Sequence, residues 1–252
     1  MSDDAWNGEE YISRPNVRQA AGINAATIIR AIAAAGDNTP PTEIDLLEVG
    51  AGVGVVTPYF KDFKSVYAIE PSPSMASVLS TQVDQLPNVK WAIHELTPDS
   101  AAQFQSGQPL PSPTAAEPER AQPAPRTHWD VAISTLVVHH VYDFRTFFPG
   151  VLDVLQPGGL FVVLEFAPGP DGEDLSAKHH VIEDKDNVPV YNGDDKVISG
   201  KEFRATWSRD QLEQLLQRYG FVETGGMEGS TIPAFTKNSC PTQVVWGRKP
   251  RA

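Results

Sequence analysis

Short apolar runs alternate with segments of helical periodicity along most of this chain. Residues 46–49, 65–69 and 89–93 are apolar runs of about five residues, the length of a buried strand. Around them, apolar side chains recur three and four positions apart, as they do on one face of a helix. The first such stretch begins near Asn16 and stops at Gly36. The alternation predicts an α/β fold.

Capping signals mark the starts of the predicted helices. Ser72 before Pro73 begins a helix that runs to about residue 85. Ser208 with Gln211 forms a capping-box pattern before the last helix. The remaining elements that the pattern predicts are a strand over 129–134, a helix over 143–156, closing strands over 221–223 and 243–247, and a long turn over 225–238 between those strands.

A glycine-rich loop follows the first apolar run. It reads Gly50-Ala51-Gly52-Val53-Gly54, a helical pattern follows over residues 55–63, and the next strand ends in Glu70. Glycines let the backbone approach a ligand closely, and a helix N-terminus behind them offers N–H groups without intrahelical partners. Glu70 lies where a carboxylate can accept hydrogen bonds from both ribose hydroxyls of an adenosine. This βαβ unit therefore predicts a nucleoside-containing cofactor at the carboxyl ends of the strands.

The spacing of the glycines distinguishes between cofactors. The dinucleotide fingerprint needs its third glycine at position 55, which is Val55 here. Glu48 stands two positions before Gly50, where a carboxylate suits a cationic amino-acid tail better than a pyrophosphate. Residues 48–54 are similar to the E-x-G-x-G-x-G motif of class I S-adenosylmethionine-dependent methyltransferases. The alternative is a glycine loop that only turns the chain.

Two further segments carry the same resemblance. Residues 135–141, Thr-Leu-Val-Val-His-His-Val, resemble the fourth-strand motif of the ubiquinone-biosynthesis-like small-molecule branch. Residues 156–159, Gln-Pro-Gly-Gly, precede a predicted fifth strand in the way that is typical of the family. The resemblance implies a doubly wound, Rossmann-like, seven-stranded and mostly parallel sheet with an antiparallel edge strand and helices on both faces. It also implies one domain over residues 1–252, with a proline-rich insertion at about 106–127 and a substrate cap at about 167–205.

The resemblance implies S-adenosyl-L-methionine as cofactor and places its binding residues along four strand ends. Met75 is either an apolar wall for the adenine ring or ordinary core. Glu95 occupies the place where relatives more often have an aspartate after a glycine. The cofactor-binding residues implied are Glu48, Gly50, Ala51, Gly52, Gly54, Glu70, Pro71, Met75, His94, Glu95, Leu96, Ser134, Thr135 and Leu136.

The methyl acceptor is expected beside a pair of histidines. For a hydroxyl acceptor, His140 or His139 is the natural general base, since imidazole titrates near neutrality. His140 is preferred because relatives most often place the pocket histidine directly before an apolar residue. The alternative is that these histidines only shape the pocket. Further acceptor contacts are expected from Trp6 and Tyr11, as lid residues or as packing for the first helix, and from Tyr191.

Composition excludes several classes of function. The chain has 252 residues and a net charge of −12, with an isoelectric point near 4.9, so neither nucleic acid nor an anionic membrane is expected as a partner. Its one cysteine, Cys240, excludes an intrachain disulfide framework. The polar N-terminus and the lack of apolar runs near the ~20 residues of a membrane span predict a cytoplasmic protein. No metal site is expected, because residues 179–184 have no familiar ligand spacing.

The sequence thus predicts an enzyme that methylates an oxygen or nitrogen of a small molecule. One alternative is a methyltransferase for protein side chains, with the proline-rich insertion as docking element. The other is a cofactor-binding regulatory protein without turnover. The complete set of Glu48, Glu70 and three loop glycines argues against this second alternative.

Overall fold

The computed structural model describes residues 6–101, 128–141, 143–169, 190–191, 197–198, 206–234 and 237–251. The proline-rich insertion predicted at 106–127 lies outside these residues, as does most of the cap predicted at 167–205.

The elements follow the predicted alternation of helices and strands. The α-helices that lie wholly within the described residues are α1 (Gly8–Ser13), α2 (Pro15–Ala34), α3 (Pro73–Val83), α4 (Phe144–Val154) and α5 (Arg209–Arg218). The first strands are β1 (Asp45–Val49), β2 (Ser65–Glu70), β3 (Val89–Ile93), β4 (Trp129–Thr135) and β5 (Leu155–Phe166). The later strands are β6 (Val190–Tyr191), β7 (Val197–Ile198), β8 (Val222–Glu228), β9 (Ile232–Ala234), β10 (Lys237–Cys240) and β11 (Thr242–Arg248).

Seven strands form one sheet in the order β3-β2-β1-β4-β5-β11-β8. The pairs among β1 to β5 are parallel, whereas β11 pairs antiparallel with β5 and with β8 at the edge. This confirms the predicted fold class, with antiparallel pairing at the end of the sheet that the closing strands form. The strand order reverses between β1 and β4, and ligands of such sheets bind outside the carboxyl ends of the strands at that point.

Apolar clusters cover both faces of the sheet. On one face, Leu46 of β1 and Ile133 of β4 pack with Ile28 of α2 and Leu79 of α3. On the other face, Phe148 of α4 and Leu216 of α5 pack against alternate strand residues. These include Leu47 of β1, Phe161 of β5 and Val245 of β11. Alternation along each strand thus sends successive side chains to opposite layers. In the described part of the chain, no helix is long and apolar enough to cross a membrane.

The helix predicted over residues 55–63 is wrong. The structure has a single 3₁₀ turn there, Thr57–Phe60, and its backbone bonds span three residues, as from the Tyr59 N–H to the Val56 carbonyl. Pro58 lacks the N–H that an α-helix would direct to residue 54, and the β-branched residues before it disfavour helix. The glycine loop is therefore not backed by an α-helix N-terminus.

The long turn predicted over residues 225–238 is also wrong. Residues 225–228 continue β8, and β9 and β10 then form an antiparallel hairpin. Ile232 and Cys240 from this hairpin are buried with Ala20 of α2 and Phe166 at the end of β5. The hairpin therefore covers the carboxyl end of the sheet near β5.

The predicted N-caps at Ser72 and Ser208 are confirmed. The Ser72 hydroxyl accepts from the Met75 N–H at 3.1 Å. Ser208 and Gln211 each accept from the other's backbone N–H, which completes the capping box.

Candidate cofactor and acceptor site

The glycine loop lies beyond the end of β1, beside β2. The N–H groups of Gly50 and Ala51 donate to the Ile69 carbonyl at 2.9 and 3.0 Å. Gly54 has a φ of +72°, and a Cβ added to it would lie 2.4 Å from the Leu79 side chain of α3. Gly52 has a φ of +57°, but a Cβ there would meet nothing within 4 Å. Gly54 is therefore needed for packing, whereas Gly52 faces open space in which a ligand can touch the backbone.

Glu70 is fixed between this loop and the start of α3. Its carboxylate oxygens accept from the Gly52 N–H at 2.8 Å and from the Ser72 N–H at 2.9 Å. Pro71 forms the turn between these contacts. The side chain is mostly buried, with 7% of its surface exposed. Each carboxylate oxygen can accept more than one hydrogen bond, so the held group retains acceptor capacity for ribose hydroxyls.

Glu48, the penultimate residue of β1, has a buried carboxyl group. Its exposure is 2%, and within the described residues its Oε2 has no hydrogen-bond partner. Burial raises the pKa of Glu48 to about 7; the Thr57 hydroxyl lowers it and the negative charge on Glu70 raises it further. A cation beside a buried carboxyl with a raised pKa stabilises its charged form. It therefore fits the ammonium end of an amino-acid ligand.

Residues after β3 complete the side of the site next to Glu70. The His94 N–H donates to the Glu70 carbonyl at 3.1 Å, and burial lowers the pKa of His94 to about 4, so the ring is neutral at pH 7. Glu95 is exposed, whereas Leu96 is buried in the core below α4. Met75 packs with Val53 and Val78 beneath the N-terminal helix. The structure thus places His94 beside Glu70, with the Glu95 side chain at the surface.

The end of β4 holds two buried hydroxyls beside the glycine loop. Ser134 Oγ and Thr135 Oγ1 have no hydrogen-bond partner among the described residues. Leu136 has a φ of +56°, and its N–H donates to the Leu164 carbonyl at 2.8 Å. This bend directs the chain so that Val137 lies over Gly50. The two hydroxyls remain available to a ligand at the switch point of the sheet.

The two histidines of the next turn have different surroundings. His139 is 2% exposed, and its Nδ1 lies 2.7 Å from Oε2 of Glu165 on β5. His140 is half-buried, with its ring centroid 4.0 Å from that of His139. The Trp6 ring meets the other side of His140 edge-on at 5.2 Å. His140 therefore lies between a buried histidine–carboxylate pair and the N-terminal segment.

The N-terminal segment lies across the same end of the sheet. The Gly8 N–H donates to the Ser74 hydroxyl at 2.9 Å, which ties α1 to α3. Burial raises the pKa of the Tyr11 phenol, the Arg14 guanidinium lowers it, and the charge on Glu70 raises it again. The charge on Glu70 thus acts on the Tyr11 phenol, and the Trp6 ring contacts His140. Each aromatic residue therefore interacts with a residue of the predicted site.

These observations together test whether the residues fit S-adenosylmethionine. The open space before Gly52, the fixed carboxylate of Glu70 and the unpartnered Oε2 of Glu48 match the adenosine and the cationic amino-acid end of that molecule. The residues therefore fit the cofactor.

Glu165 and the donor role of the Ser72 N–H were not predicted from the sequence. Glu165 interrupts the apolar strand Leu-Phe-Val-Val-Leu-Glu-Phe, and a lone acid near the carboxyl end of a buried strand was the signal. Tyr191 belongs to β6, which pairs with β7 and not with the main sheet. Residues 179–184, considered above for a metal, lie outside the described residues. Within the described residues there is no group of three or more His, Cys, Asp or Glu side chains that could hold a metal ion.

Comparison with known proteins identifies the family of this chain. A family sequence model described as "Methyltransferase domain" matches residues 19–224. No curated protein matches. The ubiquinone-biosynthesis-like branch stays a prediction.

Many solved structures are similar in fold. CurJ carbon methyltransferase is 17% identical with a TM-score of 0.56, over 90% of this chain and 54% of that chain. Phosphoethanolamine N-methyltransferase 2 of Haemonchus contortus, in complex with phosphomonomethylethanolamine and S-adenosylhomocysteine, is 15% identical with a TM-score of 0.56, over 90% of this chain and 52% of that one. N-methyltransferase NodS from Bradyrhizobium japonicum is 13% identical with a TM-score of 0.53, over 95% and 99% of the two chains.

This chain spans about half the length of the first two of these structures, and at such identities the likeness shows the fold alone. The family match extends over most of the chain. The chain therefore belongs to the methyltransferase-domain family.

Proposed function

We propose that this protein transfers the methyl group of S-adenosylmethionine to a proton-bearing atom of a small molecule, with residues 1–252 acting as one methyltransferase domain. The observation that carries the small-molecule proposal is the contact of Trp6 with His140 at 5.2 Å. Trp6 of the N-terminal segment contacts the histidine turn, so the acceptor would bind beneath this segment. A protein substrate would require this end of the sheet to be open.

The cofactor would be held by residues at the ends of β1 and β2. Glu70 would accept hydrogen bonds from the ribose, the backbone at Gly52 would approach the ligand closely, and Glu48 would face the ammonium group. When bound, S-adenosylmethionine supplies a methyl group attached to a positively charged sulfur. The protein's part is to orient the acceptor, exclude water and take up the proton that the acceptor loses.

The proton acceptor would come from the histidine turn. His139 and His140 lie together at the end of β4, and Trp6 of the N-terminal segment contacts His140. An imidazole that is neutral at physiological pH can accept a proton from a hydroxyl during methyl transfer. The resemblance of residues 135–141 to the ubiquinone-biosynthesis-like branch supports the same assignment.

A transfer assay tests the proposal. The protein is incubated with methyl-labelled S-adenosylmethionine and a cell extract divided into protein and low-molecular-mass fractions. Label is expected in the low-molecular-mass fraction. Label confined to the protein fraction would establish the protein side-chain alternative, and absence of transfer despite binding of S-adenosylhomocysteine would favour a regulatory protein.

The contribution of the covering segment is tested with matched aromatic substitutions. Trp6→Ala removes the ring that contacts His140, and Tyr59→Ala removes a ring that is 51% exposed. Trp6→Ala is expected to raise the KM for the extract acceptor several-fold, and Tyr59→Ala to leave it unchanged. Equal KM values for both variants and the wild type would contradict acceptor binding beneath Trp6.

A further inference from the structure

A buried carboxylate holds one of the two histidines. Glu165 is the penultimate residue of β5 and is 0% exposed. Its Oε2 lies 2.7 Å from Nδ1 of His139, and its Oε1 accepts from the His139 backbone N–H at 3.4 Å. Both contacts join a strand to a turn that is 26 residues away in sequence. The side chains belong to the carboxyl end of the sheet, next to the predicted acceptor.

The folded core alone gives no reason for a carboxylate at this position. The neighbouring residues of β5, Leu164 and Phe166, are apolar and buried. Burying a carboxylate is unfavourable unless partners compensate it, and an apolar side chain of similar volume is often as stable or more stable. Within the described residues, His139 provides all the hydrogen bonds and ion pairs of the Glu165 side chain. The effect of Glu165 is therefore concentrated on His139.

The contact decides which ring nitrogen of a neutral His139 carries the proton. A carboxylate accepts hydrogen bonds and cannot donate them, so Nδ1 must present its N–H to Glu165. The other nitrogen, Nε2, then has the lone pair that accepts a proton. The rings of His140 and Phe166, with centroids 4.0 and 5.5 Å away, hold the orientation. A carboxylate that fixes the tautomer of a histidine also stabilises the imidazolium formed when that histidine takes a proton.

We propose that Glu165 is a positioning residue that keeps the proton of neutral His139 on Nδ1, so that Nε2 takes the proton of a hydroxyl acceptor. This rests on the proposed function and narrows it to O-methylation. The acceptor oxygen bonds to the methyl carbon, the carbon–sulfur bond breaks with its electron pair remaining on sulfur, and the hydroxyl proton moves to Nε2. His140, which the sequence favours as the base, instead forms the wall between His139 and Trp6.

The acceptor class follows from the need for a base. A hydroxyl is a weak nucleophile at its ordinary pKa and is activated by proton removal as the new bond forms. An uncharged amine attacks with a lone pair that it already has, and its proton can leave afterwards to water. A buried histidine with a fixed tautomer is therefore useful to a hydroxyl acceptor and dispensable for an amine.

Histidine side-chain NMR tests the tautomer without any methyl acceptor. Long-range ¹H–¹⁵N correlation spectra distinguish Nδ1–H from Nε2–H imidazole, and the His139→Gln spectrum identifies the His139 signals. The wild type with S-adenosylhomocysteine at pH 8 is expected to show His139 protonated on Nδ1. In Glu165→Gln, whose amide can donate to Nδ1, the proton is expected to move to Nε2. Nε2–H in the wild type would overturn the proposal even if the variant does not fold.

Kinetics with the labelled cofactor and the active low-molecular-mass fraction give the second test. Glu165→Gln and His139→Gln are each expected to lower kcat by about 10²–10⁴-fold, the usual contribution of a general base. Glu165→Asp, which keeps the charge, is expected to recover part of that loss. Glu43→Gln, at an exposed site of the opposite sheet end, is the control and should behave as the wild type. His140→Gln should change KM more than kcat.

The outcomes separate this inference from the proposed function. Failure of the wild type to bind S-adenosylhomocysteine or to label any fraction contradicts the proposed function. Full turnover by Glu165→Gln, with a wild-type His139 spectrum, contradicts only the positioning role. Label recovered as an N-methyl product would likewise overturn the assignment to a hydroxyl acceptor while leaving methyl transfer intact.

Discussion

Substituting Gly52 and Gly54 separately should distinguish binding from folding within one loop. Both glycines have positive φ, +57° and +72°, so alanine at either position carries the penalty of the left-handed region, about 1–2 kcal/mol. The surroundings differ. The added methyl group at Gly52 would meet nothing within 4 Å, whereas at Gly54 it would lie 2.4 Å from Leu79 Cδ1 and 3.1 Å from Leu79 Cα.

The expected free energies of unfolding follow from these distances. Gly52→Ala should lose only the backbone penalty, about 1–2 kcal/mol. At Gly54, the close Cδ1 atom can rotate away, but the Leu79 Cα belongs to the backbone of α3 and must move with the helix. Overpacking a core in this way adds about 1–3 kcal/mol, so Gly54→Ala should lose roughly 2–5 kcal/mol in all. That is a large part of the stability of an ordinary domain, about 5–15 kcal/mol.

Cofactor affinity should show the opposite ranking. The Gly52 methyl group would stand in the space that the ligand is expected to occupy, beside the Glu70 carboxylate. If the ligand is displaced from that carboxylate, the loss is about 1.5–3 kcal/mol, the worth of a hydrogen bond to a charged group. This corresponds to binding about 10- to 150-fold weaker.

Two measurements check this reasoning. Denaturant unfolding without ligand gives the stability of each variant, and titration calorimetry with S-adenosylhomocysteine gives the dissociation constants. Gly52→Ala should be the more stable variant and the poorer binder per folded molecule. If it binds as tightly as the wild type, the open space before Gly52 is not the cofactor site. Equal destabilisation by the two substitutions would contradict the packing argument.

Three further substitutions test the electrostatics of the site. Glu70→Ala removes the acceptor of the Gly52 and Ser72 N–H groups. It should weaken S-adenosylhomocysteine binding by about 1.5–3 kcal/mol in calorimetry, and Glu70→Gln should have an intermediate affinity. Unaltered affinity would exclude Glu70 from the site. The pKa of Glu48 is raised from 4.5 to about 7, so the folded state binds more protons than the unfolded state between these pH values. The free energy of unfolding should therefore fall by about 3 kcal/mol as the pH rises from about 4.5 to 7, and Glu48→Gln should abolish this loss. Identical pH profiles of unfolding for the variant and the wild type would refute this. The pKa of His94 is lowered from 6.5 to about 4, so its contribution has the opposite sign, and the free energy of unfolding should fall as the pH drops below 6.5. His94→Gln should flatten the pH profile of unfolding between pH 4 and 6.5. An unchanged slope would show that His94 is not buried as a neutral ring.

The local part of the fold was predictable from the sequence. The ends of β3 and the N-cap at Ser72 depend on neighbours within a few residues, and the structure has both at the predicted positions. The glycine loop was equally local, because its spacing relative to Glu48 is written in seven consecutive residues. These predictions succeeded because each sequence signal and the residues with which it interacts lie in the same short segment.

The failed predictions had a local cause in one case and long-range causes in two. The apolar pattern over residues 55–63 indicated a helix, yet Pro58 and its β-branched neighbours leave only the turn Thr57–Phe60. The hairpin of β9 and β10 was missed because its apolar residues pack on α2 and the end of β5, which are distant in sequence. Glu165 was missed for the same reason, since its partner His139 lies on another element.

Three acidic residues at the carboxyl edge of the sheet differ in their hydrogen-bond partners. Glu70 accepts from two backbone N–H groups, Glu165 faces a histidine, and Glu48 has an oxygen with no partner within the described residues. Glu70, held as a hydrogen-bond acceptor, suits neutral hydroxyl groups. Glu165, which contacts an imidazole, suits a histidine whose tautomer must be held. Glu48, a buried carboxyl with a raised pKa, is stabilised most by a bound cation. Carboxyls whose environments differ in this way are expected to have different roles. Burying a carboxyl is costly unless a partner compensates it. The presence of these acids at the carboxyl ends of β1, β2 and β5 therefore supports the proposed ligand, which has both hydroxyls and a positive charge, and an acceptor that loses a proton.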